Sequence, residues 1–123
     1  MPVFNGEKYI KESIESILNS DFSEFELIII NDGSTDKSEF IIKSFDDKRI
    51  RYFHKVNTGI CETLNFGLSK ANFDLIARID CDDLMFENRL SVQFDFFNKN
   101  NVDVVGSNAI IINQDGFKIK CAK

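Results

Sequence analysis

Residues 25–34 read Phe-Glu-Leu-Ile-Ile-Ile-Asn-Asp-Gly-Ser, and this stretch decides the fold. Its first part is a short, mostly apolar run, which predicts a buried strand. The run is closed by Asn-Asp-Gly-Ser, four turn-forming residues. The next helix is predicted to begin near Ser34 or Thr35, because a hydroxyl group at either position can cap it. The stretch therefore predicts a strand, a turn and a helix in succession.

The same alternation continues on both sides of this stretch. Apolar residues from Ile10 to Leu18 recur at helical spacing, which predicts a helix between residues 6 and 20 with Asn5 as its N-cap. Further helices are predicted over residues 60–71 and 87–98, and further strands over residues 50–53, 73–79 and 102–106.

The end of the sequence has a different pattern. Short apolar segments at residues 109–112 and 117–121 flank Asn-Gln-Asp-Gly, which predicts a β-hairpin. Because strands and helices alternate before it, the fold class is predicted to be α/β: a Rossmann-like, mainly parallel sheet flanked by helices, with a C-terminal β-hairpin. We expect one domain over residues 1–123. Since only residues 1–5 precede the first helix and the chain stops soon after the hairpin, we expect this domain to be incomplete at both ends.

Composition excludes several classes of protein. Hydrophobic residues make up 43% of the chain, which favours a globular interior over disorder. The net charge of −5 disfavours a nucleic-acid partner, which is normally bound by a basic face. No apolar run approaches the roughly twenty residues that cross a bilayer, and the N-terminus lacks a secretion signal. We therefore expect no transmembrane segment and a cytoplasmic location.

The cysteines do not indicate a structural site. Cys61, Cys81 and Cys121 are an odd number and show no CxxC or Cys/His spacing. Neither a disulfide framework nor a zinc site is predicted. We expect three free thiols.

Polar segments follow three of the predicted strands. They lie at residues 31–34, 57–59 and 80–83. In an open parallel sheet, ligands bind beyond the carboxyl ends of the strands, where these segments meet. The sequence therefore predicts one site built from all three.

Asp80, Asp82 and Asp83 are the strongest candidates for a metal site. Three carboxylates this close repel each other unless protons or a cation intervene, and Mg²⁺ and Mn²⁺ prefer oxygen ligands. In an extended segment Asp80 and Asp82 point to the same side, so one can hold a metal while the other reaches a ribose. The alternative is a solvated acidic turn that caps the following helix. For the turn around Asp32, an ordinary Asx turn is at least as good an interpretation.

Four segments, in the same order and at suitable spacing, resemble the family 2 glycosyltransferases. The resemblance covers nearly the whole chain. It is carried by residues 2–9, residues 25–36, Asn57-Thr58-Gly59 with Asn65 and Gly67, and residues 77–83.

This resemblance implies a GT-A fold, of which the chain is the N-terminal nucleotide-sugar-binding part. The family uses a nucleotide-activated sugar, often a UDP-sugar, and transfers it with inversion. The resemblance implies that Asp32 accepts a hydrogen bond from the imino N–H of the base, and that Arg78 approaches the diphosphate or pairs with a neighbouring aspartate. The implied nucleotide-sugar-binding residues are Pro2, Val3, Phe4, Glu7, Asp32, Gly59, Arg78 and Asp80. The implied ligands of Mn²⁺ or Mg²⁺ are Asp80, Asp82 and Asp83.

The family's catalytic base normally lies downstream of the aspartate motif, so no catalytic residue is assigned. The expected acceptor is a sugar, a lipid-linked sugar or a polysaccharide, in bacterial polysaccharide or lipopolysaccharide biosynthesis. Association with a membrane would depend on regions or partners outside this chain. Two alternatives stay open: an inactive fragment that only binds nucleotide and metal, and a Mg²⁺-dependent phosphoryl-transfer domain, whose phosphorylatable Asp and later Thr/Ser and Lys cannot be placed.

Overall fold

The computed structural model describes residues 1–122. The chain divides into two compact units, Met1–Leu90 and a second unit that begins at Ser91. The single-domain expectation stays a prediction. The elements in chain order are β1 (Pro2–Val3), α1 (Ile10–Leu18), β2 (Leu27–Asp32), α2 (Ser38–Lys43), β3 (Ile50–Lys55), α3 (Ile60–Ser69), α4 (Arg89–Lys99), β4 (Ala109–Ile112) and β5 (Lys118–Ala122).

The first unit is built on a parallel sheet with the strand order β1-β2-β3. Pro2 of β1 lies opposite Ile30 of β2. The pairing of β2 with β3 ends at Asp32 and Lys55. The predicted α/β class and parallel sheet are confirmed, and the carboxyl ends of all three strands lie at one edge.

The core explains why residues 27–30 form a strand. Ile29 and Ile30 are adjacent in sequence and both are buried, so β2 is covered on both faces. Ile29 belongs to a cluster that also contains Ile10 and Ile14 of α1. Ile30 lies next to Gly67 of α3. Each of these fully buried side chains stabilises the fold by about 1.5–3 kcal/mol.

The predicted strand at residues 73–79 is wrong. These residues form no strand, and Leu75 and Ile76 are exposed, although Ile79 is buried against the core. β1 contributes only two residues to the sheet, so its outer edge offers few backbone groups to a further strand. An apolar run cannot form a strand where the neighbouring edge is so short.

The predicted strand at residues 102–106 is also wrong. This segment has no regular structure, and Val104 is 86% exposed. It lies in the second unit, where the strands of the described residues pair only with each other. The segment therefore pairs with neither strand of the hairpin, despite its apolar pattern.

The second unit contains most of α4 and the predicted hairpin, which is confirmed. β4 and β5 are antiparallel, with an irregularity in register between Ile111 and Ile112. The turn is stabilised by Asn113, whose Oδ1 accepts the backbone N–H groups of Asp115 and Phe117. Gly116 takes a positive φ of 81°, which glycine adopts without strain.

Two predicted helix starts are wrong. α1 begins at Ile10, with Tyr9 rather than Asn5 at the N-cap position, and α2 begins at Ser38 rather than near Ser34 or Thr35. Asn5 instead adopts a φ of 52°, and its Oδ1 accepts the backbone N–H of Thr35 at 2.9 Å. Asn5, which was predicted to cap α1, therefore joins the loop after β1 to the loop after β2.

Candidate nucleotide-binding cleft

A cleft of about 410 Å³ opens at the carboxyl ends of the three parallel strands. It brings together the ends of β1 and β2, the loop before α3 and the acidic segment. Its lining residues are Pro2, Val3, Phe4, Asp32, Asn57, Gly59, Ile60, Thr63, Asp80 and Cys81. The convergence predicted from the sequence is therefore present.

Asp32 lies at the end of β2 with only 4% of its surface exposed. Its Oδ1 accepts hydrogen bonds from Lys55 Nζ and from the backbone N–H of Thr58. Its Oδ2 accepts the backbone N–H of Gly59 at 3.0 Å. Burial by itself raises the pKa of Asp32, but these hydrogen bonds, with a contribution from Thr63, outweigh burial and lower the pKa below its ordinary value. Asp32 is therefore ionised at neutral pH and can only accept hydrogen bonds.

Lys55 connects Asp32 to the loop that forms one wall of the cleft. Its ammonium group donates to Asp32, to the carbonyl oxygen of Val56 at 3.1 Å and to the hydroxyl oxygen of Thr58 at 2.6 Å. These three bonds match the three donors of an ammonium group. The loop before α3 is thus fixed against the end of β2.

The loop after β2 also approaches this wall closely. Gly33 has a φ of 73°, and a Cβ atom at this position would lie 2.8 Å from the backbone nitrogen of Asn57. Backbone atoms at that distance cannot move aside as a flexible side chain can. Glycine is therefore required here for both conformation and space.

The acidic segment is only partly directed into the cleft. Asp80 lines the cleft, and both of its oxygens accept from Arg78 at 3.0 Å. Asp82 and Asp83 are exposed and are not among the lining residues. The predicted pairing of Arg78 with a neighbouring aspartate is present.

The fit of this segment to a metal is mixed. Partial burial and then the negative charges of Asp82 and Asp80 raise the pKa of Asp83, and a cation would relieve this repulsion. Carboxylate oxygens are also the ligands that Mg²⁺ and Mn²⁺ prefer. Within residues 1–122, however, no three His, Cys, Asp or Glu side chains are grouped so as to hold an ion. The donors suit the predicted cation, and the ligand set stays a prediction.

Glu7 makes its contacts outside the cleft, with the loop that follows β2. Its side chain accepts the backbone N–H of Lys37, and its own N–H donates to Asp36 Oδ2, both at 2.9 Å. Glu7 is not among the residues that line the cleft. Its predicted place near the base stays a prediction, while its observed contacts join the loops that follow β1 and β2.

Sequence reasoning placed Asn57 and Cys81 in segments of the site without assigning them a role in ligand binding, and it missed Ile60 and Thr63. Thr63 could have been found from helical geometry, because it lies one turn after Gly59 on the same face of α3. Cys81 was expected to be a poor nucleophile, because its acidic neighbours disfavour the thiolate. Burial and then the charge of Asp82 raise the pKa of its thiol, which makes it a weak nucleophile.

The whole described part of the chain, residues 1–122, matches the model of Glycosyl transferase family 2. The chain belongs to this family. A relative, a glycosyltransferase of Haemophilus influenzae, is 38% identical over 98% of this chain and 49% of its own length. A second relative, the minor teichoic acid biosynthesis protein GgaB of Bacillus subtilis, is 40% identical over 85% of this chain and 12% of its own length. The chain thus spans half or less of the length of these two relatives.

A solved structure shows the same fold. S. aureus TarS 1–349 in complex with UDP superimposes with a TM-score of 0.75 at 28% identity, over 81% of this chain and 31% of that chain. The predicted GT-A fold of family 2 is therefore confirmed. No helix in residues 1–122 is both long enough and apolar enough to cross a membrane.

Proposed function

We propose that this chain binds the nucleotide-sugar donor of a glycosyltransferase, and that the donor is a UDP-sugar. The observation that carries the proposal is the placement of Asp32, a buried and ionised carboxylate, in the same cleft as Asp80 at the ends of the parallel strands. The complex of the structural relative TarS with UDP supports the choice of nucleotide.

In this proposal Asp32 accepts the imino N–H of the base. Oδ1 already accepts two hydrogen bonds and Oδ2 accepts one. Since an ionised carboxylate offers about four acceptor positions, one position on Oδ2 is available to a ligand. Pro2, Val3 and Phe4 form the apolar wall against which the base packs, and Gly59 lets the nucleotide approach the backbone closely.

In this proposal the diphosphate lies near Asp80 and Arg78. The guanidinium group of Arg78 can neutralise phosphate charge, and its pairing with Asp80 holds it beside the cleft. Asp80, Asp82 and Asp83 would hold a Mn²⁺ or Mg²⁺ ion, which would stabilise the charge of the departing nucleoside diphosphate. Glu7 supports this site through its bonds to the loop that follows β2.

The reaction we propose is inverting transfer of the sugar to an acceptor hydroxyl group. Such a transfer needs a base within hydrogen-bond reach of that hydroxyl, and this chain supplies no residue that we assign to the role. We propose an acceptor in bacterial polysaccharide or lipopolysaccharide assembly. The teichoic acid biosynthesis named for the relative GgaB supports a cell-surface polymer. A cytoplasmic location, with membrane association through other regions or partners, suits such substrates.

Calorimetric titration with UDP, with and without Mn²⁺, tests the proposal. We expect binding that Mn²⁺ strengthens, with the enhancement lost in Asp82→Ala and most of the affinity lost in Asp32→Asn. Asp46→Asn is the matched control, since Asp46 is an exposed aspartate that is not among the residues that line the cleft. Failure of the wild-type chain to bind UDP under both conditions would refute the proposal. Binding without sugar release from a UDP-sugar would identify a nucleotide-binding module instead.

A further inference from the structure

The hydroxyl group of Thr63 is not satisfied in the fold. Thr63 is fully buried, and its Oγ1 has no hydrogen-bond partner among residues 1–122. Buried polar groups in native proteins are paired in the great majority of cases, because burial without a partner is costly. An unpaired buried hydroxyl in a binding cleft therefore indicates a group that is satisfied by the ligand.

The usual structural use of a helical threonine does not account for this hydroxyl. Threonine in a helix commonly donates its hydroxyl to the carbonyl oxygen one turn earlier. In α3 that oxygen belongs to Gly59 and already accepts the backbone N–H of Thr63 at 3.1 Å. The hydroxyl makes no such bond. It is thus available for another partner.

Thr63 lies beside Asp32 in the cleft. Its hydroxyl is close enough to help lower the pKa of Asp32, yet it is not in hydrogen-bonding geometry with the carboxylate. Asp32 itself retains one unused acceptor position, because its Oδ2 accepts only the backbone N–H of Gly59. The cleft therefore holds two neighbouring unused polar groups, one that only accepts hydrogen bonds and one that can also donate.

We propose that Thr63 is a specificity-determining residue for the nucleobase, whose hydroxyl donates to the 4-carbonyl oxygen of uracil, next to the imino N–H that Asp32 accepts. This inference rests on the proposed function. Uracil presents its imino N–H between two carbonyl groups, of which cytosine keeps only the one at position 2. Cytosine has an unprotonated ring nitrogen at the same place, which a carboxylate repels, and an amino group in place of one carbonyl. A base that fails to pair with both groups leaves them buried and unsatisfied, so the pair selects uracil.

The base reaches Thr63 only if the cleft opens slightly, because water does not reach this side chain in the free protein. Phe4 and Ile60 line the cleft and are 54% and 51% exposed. Exposed side chains at a binding surface commonly change rotamer when a ligand binds. We assign the opening to these two residues.

The test compares UDP with CDP, which differ only in the base edge that faces Asp32 and Thr63. Dissociation constants are measured by calorimetry for the wild type, Thr63→Val and Thr63→Ser. Valine keeps the shape of threonine and removes the hydroxyl, whereas serine keeps the hydroxyl. We expect Thr63→Val to weaken UDP binding about tenfold and to affect CDP less, and Thr63→Ser to retain most of the UDP affinity.

Thermal unfolding separates a ligand-binding role from a structural one. Because the hydroxyl makes no hydrogen bond in the free protein, Thr63→Val should lose no more than the small stability that follows from its contribution to the lowered pKa of Asp32. A fall in unfolding temperature of more than about 5 °C would reveal a structural partner and overturn the inference. So would an unchanged ratio of UDP to CDP affinity in Thr63→Val. Absence of UDP binding by the wild type would overturn the proposed function and this inference together, whereas UDP binding that does not depend on Thr63 would overturn the inference alone.

Discussion

Glu7 and Asp36 hold the loops after β1 and β2 together, because each carboxylate accepts a backbone N–H from the other loop. Asp36 Oδ2 accepts the backbone N–H of Glu7, and Glu7 Oε2 accepts the backbone N–H of Lys37, both at 2.9 Å. The buried bond from the backbone N–H of Gly6 to Ser38 Oγ, at 2.8 Å, lies between them. The loops that carry Phe4 and Asp32 into the cleft are therefore fixed to each other by side chains that do not line it.

We expect Asp36→Ala to destabilise the first unit by about 1–3 kcal/mol, because two backbone donors, those of Glu7 and Ser38, lose their acceptor. Burial raises the pKa of Asp36, but its hydrogen bonds, from Ser38 and then from Glu7, outweigh burial and lower the pKa. The stabilisation is therefore present above the ordinary aspartate pKa and is lost as the pH falls through the lowered value. Urea unfolding at neutral and acidic pH measures this change. Asp46→Ala, at an exposed position, should be nearly neutral, and equal effects of the two substitutions would contradict the assignment.

The strand-helix alternation could be predicted because it depends on local pattern. Leu27, Ile29 and Ile30 are buried and Ile28 is half-buried, so both faces of β2 are covered and an apolar run was the correct signal for this strand. The segment at residues 73–79 has a similar run, but a strand also needs a partner edge, and β1 pairs only through Pro2 and Val3. The availability of that edge is a tertiary property, which local pattern does not contain.

The site could be predicted in outline, because parallel strands bring their carboxyl ends to one edge. Asp32 lies at the end of β2 as expected, and Asp80 reaches the same cleft although the apolar run before it forms no strand. The individual hydrogen bonds could not be predicted. Asn5 was expected to cap a helix, but the nearby loop after β2 offered the N–H of Thr35 instead. A polar side chain can accept a hydrogen bond from any of several nearby backbone N–H groups. Which of these groups lies within reach depends on the folded backbone and not on local sequence.

We expect Gly33→Ala to lower both stability and UDP affinity. The substitution forces a side chain into a φ of 73° and places its Cβ 2.8 Å from the backbone nitrogen of Asn57. Gly116→Ala is the control for backbone strain alone, since Gly116 has a φ of 81°, nothing within 4 Å of an added Cβ and no place in the lining of the cleft. A residue with positive φ costs about 1–3 kcal/mol, and the clash at Gly33 should add to this. Urea unfolding that shows Gly116→Ala to be the more destabilising change would contradict the close approach of the two loops.

We expect Ile14→Ala to destabilise the first unit by about 2–5 kcal/mol, because it leaves a cavity where α1 packs on the sheet. Ile76→Ala is the matched control, since Ile76 is 53% exposed and lies in the segment that forms no strand. Its effect should be within about 0.5 kcal/mol. Equilibrium unfolding of both variants measures the difference. A large loss from Ile76→Ala would show that residues 73–79 contribute to the core after all.

We expect Lys55→Met to weaken UDP binding and to make both binding and stability more sensitive to acid. Burial raises the pKa of Asp32, and the hydrogen bond from Lys55 is the largest of the interactions that lower it. Without Lys55 the pKa of Asp32 should rise. In the wild type, the stability contributed by Asp32 is fully present above the ordinary aspartate pKa and is lost as the pH falls through the lowered value. In Lys55→Met this loss should begin at a higher pH.

The pH dependence separates the charge of Lys55 from its packing. Lys55→Arg keeps the charge, so it should lose UDP binding on acidification at about the same pH as the wild type. Lys55→Met should lose UDP binding at a higher pH. Removal of one partner from a buried ion pair lowers the free energy of unfolding by about 3–5 kcal/mol. Because the Lys55 side chain is 16% exposed, we expect Lys55→Met to lower the free energy of unfolding by an amount at or below the lower end of that range. Lys43→Met, which removes a lysine from an exposed pair with Glu39, should change neither property measurably. Calorimetric titration with UDP between about pH 3 and pH 8 measures this loss of binding, because the window extends below the ordinary aspartate pKa of about 4. If the wild type and Lys55→Met lost UDP binding at the same pH, the ionisation of Asp32 would not depend on Lys55. The backbone donors of Asp32 would then be sufficient.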